Sequence, residues 1–348
     1  MKLLICTQKV DMNDPILGFF HRWIEEFSKN VEKITIICLE EGEHNLPGNV
    51  RVLSLGKENG VSKVGRVYRF YKYIWRERAQ YSHVFVHMNQ VYVILGGLLW
   101  RALGKKISLW YVHRQTSITL WLAEKIVDRV FTASSQSFSI KSHKVQVVGH
   151  GIDLDNYSAL TKNKGDVINI LHVGRISRIK DILTLIKAGQ ILSQKWEKRF
   201  KIVFVGSPVT RDDRVYLKEV SKYIEENNIQ DIFEFTGNVP NKDIKDFYAK
   251  ADLTINMTPT GGMDKAVLES MASSVVVMSS NESFLEHFGK YDSVLRFSFG
   301  DPQDLSEKII YLFENVNFEA LEVYLRNKVE EKSSLTKLIR KIVNIMEN

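Results

Sequence analysis

Short apolar runs alternate with longer segments of helical periodicity along this chain. Lys2–Thr7, Val31–Leu39, Val84–His87, Lys106–Val112, Val130–Ala133 and Val145–Val148 read as buried strands, rich in β-branched residues. A second series follows: Ile168–Val173, Lys201–Gly206, Ile232–Gly237, Leu253–Asn256, Val275–Met278 and Ser293–Phe297. The segments between them keep apolar residues on one helical face. Gly18–Ser28 carries Phe20, Trp23, Ile24 and Phe27 on that face, and Pro302–Asn315 carries Leu305, Ile309, Ile310 and Leu312. Ser333–Met346 carries Leu335, Leu338, Ile339, Ile342 and Val343. Helices are also predicted over Ser62–Ala79, Val91–Leu103, Leu120–Asp128, Arg214–Asn227, Asp243–Ala249, Ala266–Ala272 and Glu282–Phe288. Two series of strand–helix–strand predict an α/β fold with two doubly wound domains, 1–158 and 159–329. The polar, glycine-containing segment Thr161–Asp166 marks the hinge between them.

The stretch Ala251–Ser280 organises the second domain. It reads strand, loop, helix, strand. Thr258-Pro259-Thr260-Gly261-Gly262 ends the strand, because proline fixes φ and paired glycines free the backbone. Asp264 is a good helix cap and Ala266–Ala272 are mostly good helix formers. A glycine loop that opens a helix just after a strand is where an α/β protein binds a phosphate, since free N–H groups and the positive dipole end both point there. Glu269 lies about one turn into that helix, where a carboxylate can accept hydrogen bonds from ribose hydroxyls.

Composition narrows the picture. A chain of 348 residues has room for two domains and ample core. Its net charge of +7 favours anionic partners such as nucleoside diphosphates or an acidic membrane surface. The two cysteines, Cys6 and Cys38, sit in predicted strands without metal spacing, so neither a metal site nor a disulfide framework is expected. The most apolar stretch, Val91–Trp100, is about half the ~20 residues a membrane span needs. The N-terminal apolar run is too short for a signal peptide. A cytoplasmic protein is expected, with any membrane contact peripheral. The first turn lacks G-x-G-x-x-G, which argues against a dinucleotide-dependent dehydrogenase. No nucleic-acid-binding module is recognisable.

Gly174-Arg175-Ile176-Ser177-Arg178-Ile179-Lys180 and Leu268-Glu269-Ser270-Met271-Ala272 together carry a family resemblance. The chain resembles the retaining nucleotide-sugar glycosyltransferases of family four. These have two Rossmann-like domains facing each other across a cleft (the GT-B architecture). Gly151-Ile152-Asp153 matches the family's linker, and the family's last helix crosses back onto the first domain, here 330–348. The resemblance implies metal-independent transfer, with no cofactor, of a sugar from a UDP- or GDP-sugar to a hydroxyl of a glycan or lipid-linked acceptor. Arg175 and Lys180 match the cations that hold the diphosphate, and Glu269 the carboxylate that holds the ribose. His113 matches the histidine beside the reacting carbon, although Arg114 follows it in place of the usual aspartate. Gly18 matches the glycine near the donor phosphate. Gly237 and Val239 match the turn that receives the base. Gly174, Gly261, Gly262, Met263, Asp264 and Lys265 complete the donor-side set. Position 261 holds glycine where the family has a glutamate, and Asp264 is the nearest substitute for its contact with the donor sugar. A non-catalytic nucleotide-sugar-binding scaffold and a nucleotide-sugar isomerase stay open as alternatives.

Ser62–Ala79 has two readings. Val64, Val67, Tyr68, Tyr71, Ile74 and Trp75 form one stripe, and Lys63, Arg66, Arg69, Lys72 and Arg76 another. The apolar stripe either packs on the core, with the basic face solvated, or lies on an anionic bilayer.

Overall fold

The computed structural model describes the whole chain except residues 15, 114, 158–164, 241–242 and 260–261. The chain divides into two compact units, Met1–Gly151 with Leu335–Asn348, and Ile152–Ser334. The sequence pattern places these boundaries at 158 and 329. The structure sets them where two passing segments pair: Ile152 N donates to Ser333 O at 2.7 Å, and Ile152 bridges Ser334. Part of the expected hinge, 161–164, lies outside the described residues.

The first unit holds a seven-stranded sheet, all parallel. Its strands are β1 (Lys2–Val10), β2 (Lys33–Glu41), β3 (Val50–Ser54), β4 (His83–His87), β5 (Lys106–Trp110), β6 (Arg129–Thr132) and β7 (Val145–Val147). They run in the order β3-β2-β1-β4-β5-β6-β7. The strand β3 escapes the sequence pattern because its burial is only partial, Leu53 alone being buried. Helix α1 (Phe19–Ser28) covers one face of the sheet. On the other face lie α2 (Lys63–Arg76), α3 (Val91–Ala102) and α4 (Ile118–Ile126).

The second unit holds a five-stranded parallel sheet. Its strands β8 (Ile168–Val173), β9 (Phe200–Val205), β10 (Phe233–Gly237), β11 (Leu253–Asn256) and β12 (Val276–Ser279) run in the order β10-β9-β8-β11-β12. The main helices are α5 (Ile182–Lys195), α6 (Arg211–Glu226), α7 (Ile244–Lys250) and α8 (Lys265–Ala272), followed by short α9 (Leu285–Phe288) and α10 (Asp292–Leu295). Then come α11 (Pro302–Asn315) and α12 (Phe318–Lys332). The expected strand at Ser293–Phe297 is instead the helix α10 followed by one bridge, Ser279 to Arg296. Asp292 receives the Arg296 guanidinium at 3.0 and 3.1 Å, an i,i+4 contact that only a helical turn permits.

The last helix, α13 (Leu335–Glu347), belongs to the first unit. Leu335, Leu338, Ile339, Ile342, Val343 and Met346 are all buried in the core that α1 shares.

Candidate active site

Each sheet reverses its strand order at one point. In the second unit this point lies between β8 and β11, and in the first between β1 and β4. Ligands of open α/β sheets bind outside the carboxyl ends of the strands at such points. The two segments singled out by sequence, 174–180 and 257–269, leave β8 and β11 there.

The first loop is held by a close backbone contact. Gly174 N donates to Val205 O at 2.9 Å, and Ile176 N to Ser207 O at 3.3 Å. Gly206 has φ +140°, and a Cβ there would sit 2.1 Å from the Gly174 carbonyl oxygen. Ile176 is buried and anchors the turn. Arg175 is 46% exposed and its Nε lies 3.8 Å from Asp213. Asp213 closes the capping box that starts α6. Asp181 adopts a left-handed φ of +39° before α5, which aspartate tolerates and glycine accepts most easily.

Lys180 joins the two segments. Its Nζ donates to Thr258 Oγ1 at 2.8 Å and pairs closely with Asp264 Oδ2. Thr258 Oγ1 and Asn256 Nδ2 donate to the same Oδ2, at 2.8 and 3.0 Å. The other oxygen caps α8 by accepting from Ala266 N at 3.3 Å. Burial opposes the Asp264 charge, but the Lys180 ammonium and these donors hold the carboxyl well below the usual range. The carboxylate is thus committed to the protein. The expectation that Asp264 contacts a sugar in place of position 261 meets this obstacle.

Glu269 stands one turn further along α8. Burial pushes its carboxyl up, opposed by the charge of Lys265 on the preceding turn. Burial in turn pushes the Lys265 ammonium down. Tyr157 stands beside Glu269, and the Tyr248 hydroxyl lies 3.3 Å from Oε2 and 3.1 Å from the Ala266 carbonyl. A Cβ at Gly262 would meet no described atom within 4 Å. Met263 packs partly against the core, and the Gly262 carbonyl accepts from Asn281 Nδ2 at 2.7 Å. Gly261 lies outside the described residues. Gly237 ends β10 with φ +76° and its carbonyl accepts from Gly206 N at 2.9 Å. Val239 packs against the core from the following turn.

His113 and Gly18 belong to the first unit, at the carboxyl ends of β5 and β1. His113 is exposed, with its ring edge-on to Tyr111 at 5.8 Å. Arg114 lies outside the described residues. Gly18 is required by its own loop: a Cβ would lie 2.5 Å from the Asp14 carbonyl oxygen. Asp14 in turn accepts from Ile16 N and Leu17 N and pairs with Lys9 at 3.0 Å. His87, which ends β4 at the same switch point, is 2% exposed and stacked on Phe20 at 3.8 Å, so it is a core residue.

Several residues of this site escape sequence reasoning. Asn256 and Thr258 lie in the stretch singled out by sequence but carry no assigned role there, and Tyr157 and Tyr248 lie outside it; the fold turns the first two to Asp264 and brings the tyrosines to Glu269. Gly206 carried a signal, a glycine directly after a buried strand. His172, next to last in β8, is fully buried; its Nδ1 bonds the Ile255 carbonyl at 2.9 Å and burial pushes its pKa down to about 4.

Residues 155–331 match the family model described as glycosyl transferases group 1. No curated protein sequence matches the chain. Among solved structures it is similar to Anabaena HepE in complex with UDP-glucose, with a TM-score of 0.76, 15% identity and 100% of both chains covered. It is also similar to sucrose-phosphate synthase from Thermosynechococcus elongatus, with a TM-score of 0.78 and 15% identity over 100% of this chain and 98% of that one. A glycosyltransferase from Rickettsia africae aligns with a TM-score of 0.74 and 15% identity, covering 99% and 98%. At these identities the likeness establishes the fold alone, two Rossmann-like domains as in the GT-B class.

Proposed function

The chain belongs to the glycosyl transferases group 1 family, and from that premise we propose that it is a retaining, metal-independent transferase that moves a sugar from a nucleoside-diphosphate sugar to an acceptor hydroxyl. One observation carries the reading. Two cation-bearing segments, ending in Arg175 and Lys180 on one side and α8 on the other, meet at the carboxyl ends of β8 and β11. Solved HepE holds UDP-glucose, which supports a donor of the same class here.

In this reading Glu269 accepts hydrogen bonds from the ribose hydroxyls. Arg175, Lys180 and the start of α8 take the diphosphate. As the bond from the anomeric carbon to the diphosphate oxygen breaks, negative charge grows on the leaving group, and fixed cations stabilise it. The acceptor oxygen bonds to the anomeric carbon from the face the diphosphate leaves, and its proton passes to the departing phosphate oxygen. Configuration is retained without a protein nucleophile. In this reading His113 is assigned to orienting the sugar and Gly18 to the donor phosphate, as the resemblance implies. The acceptor is a glycan or a lipid-linked sugar.

The lipid-linked reading draws on α2. Only Phe70 and Ile74 of this helix are buried. Val64 is 80% exposed, Tyr68 66% and Trp75 55%, beside Lys63, Lys72 and Arg76. This apolar and cationic face suits an anionic membrane surface. Among the described residues no helix is long and apolar enough to cross a membrane.

The test is thermal stabilisation by UDP, GDP, ADP and CMP, each with and without Mg²⁺. One nucleoside diphosphate raises the melting temperature without metal. With its sugar donor and an acceptor, Arg175→Ala and Lys180→Ala each lower turnover about 10²-fold or more, the scale of one lost transition-state contact. Near wild-type turnover in both variants refutes the assignment.

A further inference from the structure

The cation proposed to hold the diphosphate is already occupied. Lys180 Nζ pairs with Asp264 Oδ2, a carboxylate that three side chains and one backbone N–H hold in place. Asp264 is also the cap of α8, so it stands where that helix offers its free N–H groups. A diphosphate approaching the start of α8 meets the negative charge of Asp264 and a lysine that it already neutralises. Two anions cannot share one ammonium at full strength, and like charges at contact distance repel.

We propose that Asp264 is a tethered competitor of the donor's diphosphate: it holds Lys180 in the donor-free protein, yields the ammonium on binding, and recaptures it to expel the nucleoside diphosphate product. The inference rests on the donor site described above and adds a positioning residue to it. Lys180 can make the exchange by a small movement, because its Thr258 contact keeps Nζ between the loop and the helix. Asp264 does not move with it, since its cap and its bonds to Asn256 and Thr258 remain. The carboxylate therefore stays beside the diphosphate throughout and weakens its hold. A bound product leaves faster for that reason.

The experiment is titration calorimetry of the full chain with UDP, GDP and ADP, and with the matching nucleosides, on the wild type, Asp264→Asn, Asp264→Ala, Lys180→Ala and the Lys180→Ala/Asp264→Asn double variant. Asp264→Asn keeps the cap oxygen, and Asp264→Ala checks that the new amide is not the cause. Both single Asp264 variants bind the nucleoside diphosphate about tenfold tighter, the scale of one charge-assisted contact. Their affinity for the nucleoside is unchanged, which a general change of fold would not produce. In the Lys180→Ala background the gain shrinks to the share owed to repulsion alone. In turnover, Asp264→Asn lowers kcat and KM together, because the product is slow to leave. Unchanged or weaker diphosphate binding in Asp264→Asn, with the wild type binding normally, overturns the competitor and leaves the donor site standing. Absence of binding by the wild type and every variant overturns both.

Discussion

The contact between Gly206 and Gly174 shows how one residue outside every recognised motif controls the site. The Gly206 backbone lies so close to the Gly174 carbonyl that any Cβ displaces the loop bearing Arg175 and Lys180. Its φ of +140° adds strain for any other residue. We expect Gly206→Ala to lower stability by about 1–3 kcal/mol and to weaken nucleoside diphosphate binding at least tenfold. Denaturant melts and calorimetry check the two effects; a variant that binds as the wild type does removes Gly206 from the account. At this scale sequence reading found the residues with distinctive chemistry and missed their partners. Arg175, Lys180, Asp264 and Glu269 announce themselves by charge beside glycine. Asn256 and Thr258 do not, although they lie only eight and six residues from Asp264, because nothing in their residue type shows that the loop folds their side chains back onto its carboxylate; Tyr248 reaches Glu269 only through the packing of α7 beside α8.

Elements were legible where the apolar pattern was strong. The helix Pro302–Asn315 has its start marked by proline after an aspartate cap, and its bounds match the sequence reading. The pattern was weaker at β3, whose residues are mostly half-buried, and at α12, which the sequence reading passes over. In α12 the apolar positions are interleaved with charges, so no stripe stands out. Helix α2 shows a different limit. Its periodicity reveals an apolar stripe but not which side that stripe faces. The structure buries Phe70 and Ile74 and turns Val64, Tyr68 and Trp75 outward, with Arg78 4.4 Å over the Trp75 ring. We expect Tyr68→Ser/Trp75→Ser to change stability by only about 0.5 kcal/mol, as for exposed positions. The same variant should abolish co-sedimentation with vesicles of anionic phospholipid at low salt. A wild type that stays in the supernatant under those conditions removes the membrane from the proposal.

Across the whole molecule, burial of histidine sets the response to acid. His21 and His83 in the first unit, and His172 and His287 in the second, all have pKa values lowered chiefly by burial. For His172 and His287 the folded value falls to about 4 from 6.5. Below pH 6.5 the unfolded chain takes up these protons and the folded chain does not, so stability falls as pH drops from about 6.5 towards 4. Each fully buried histidine accounts for up to about 3 kcal/mol over that window. Glu269 opposes this, since burial raises its pKa and folding gains as it protonates. The lowered carboxylates, Asp264 foremost, act in a separate window: their contribution is intact above about pH 4 and is lost below it. Replacing His172 by Asn keeps a donor at the Nδ1 position for the Ile255 carbonyl, and replacing His287 by Gln keeps a donor at the Nε2 position for Ser333. The double variant should therefore fold and show a flatter melting-temperature profile between pH 6.5 and 4, with the drop below pH 4 unchanged. Because Glu269 is the same in both proteins, its contribution cancels in the comparison. A profile as steep as the wild type's would mean that the acid response of the second unit lies in its carboxylates alone.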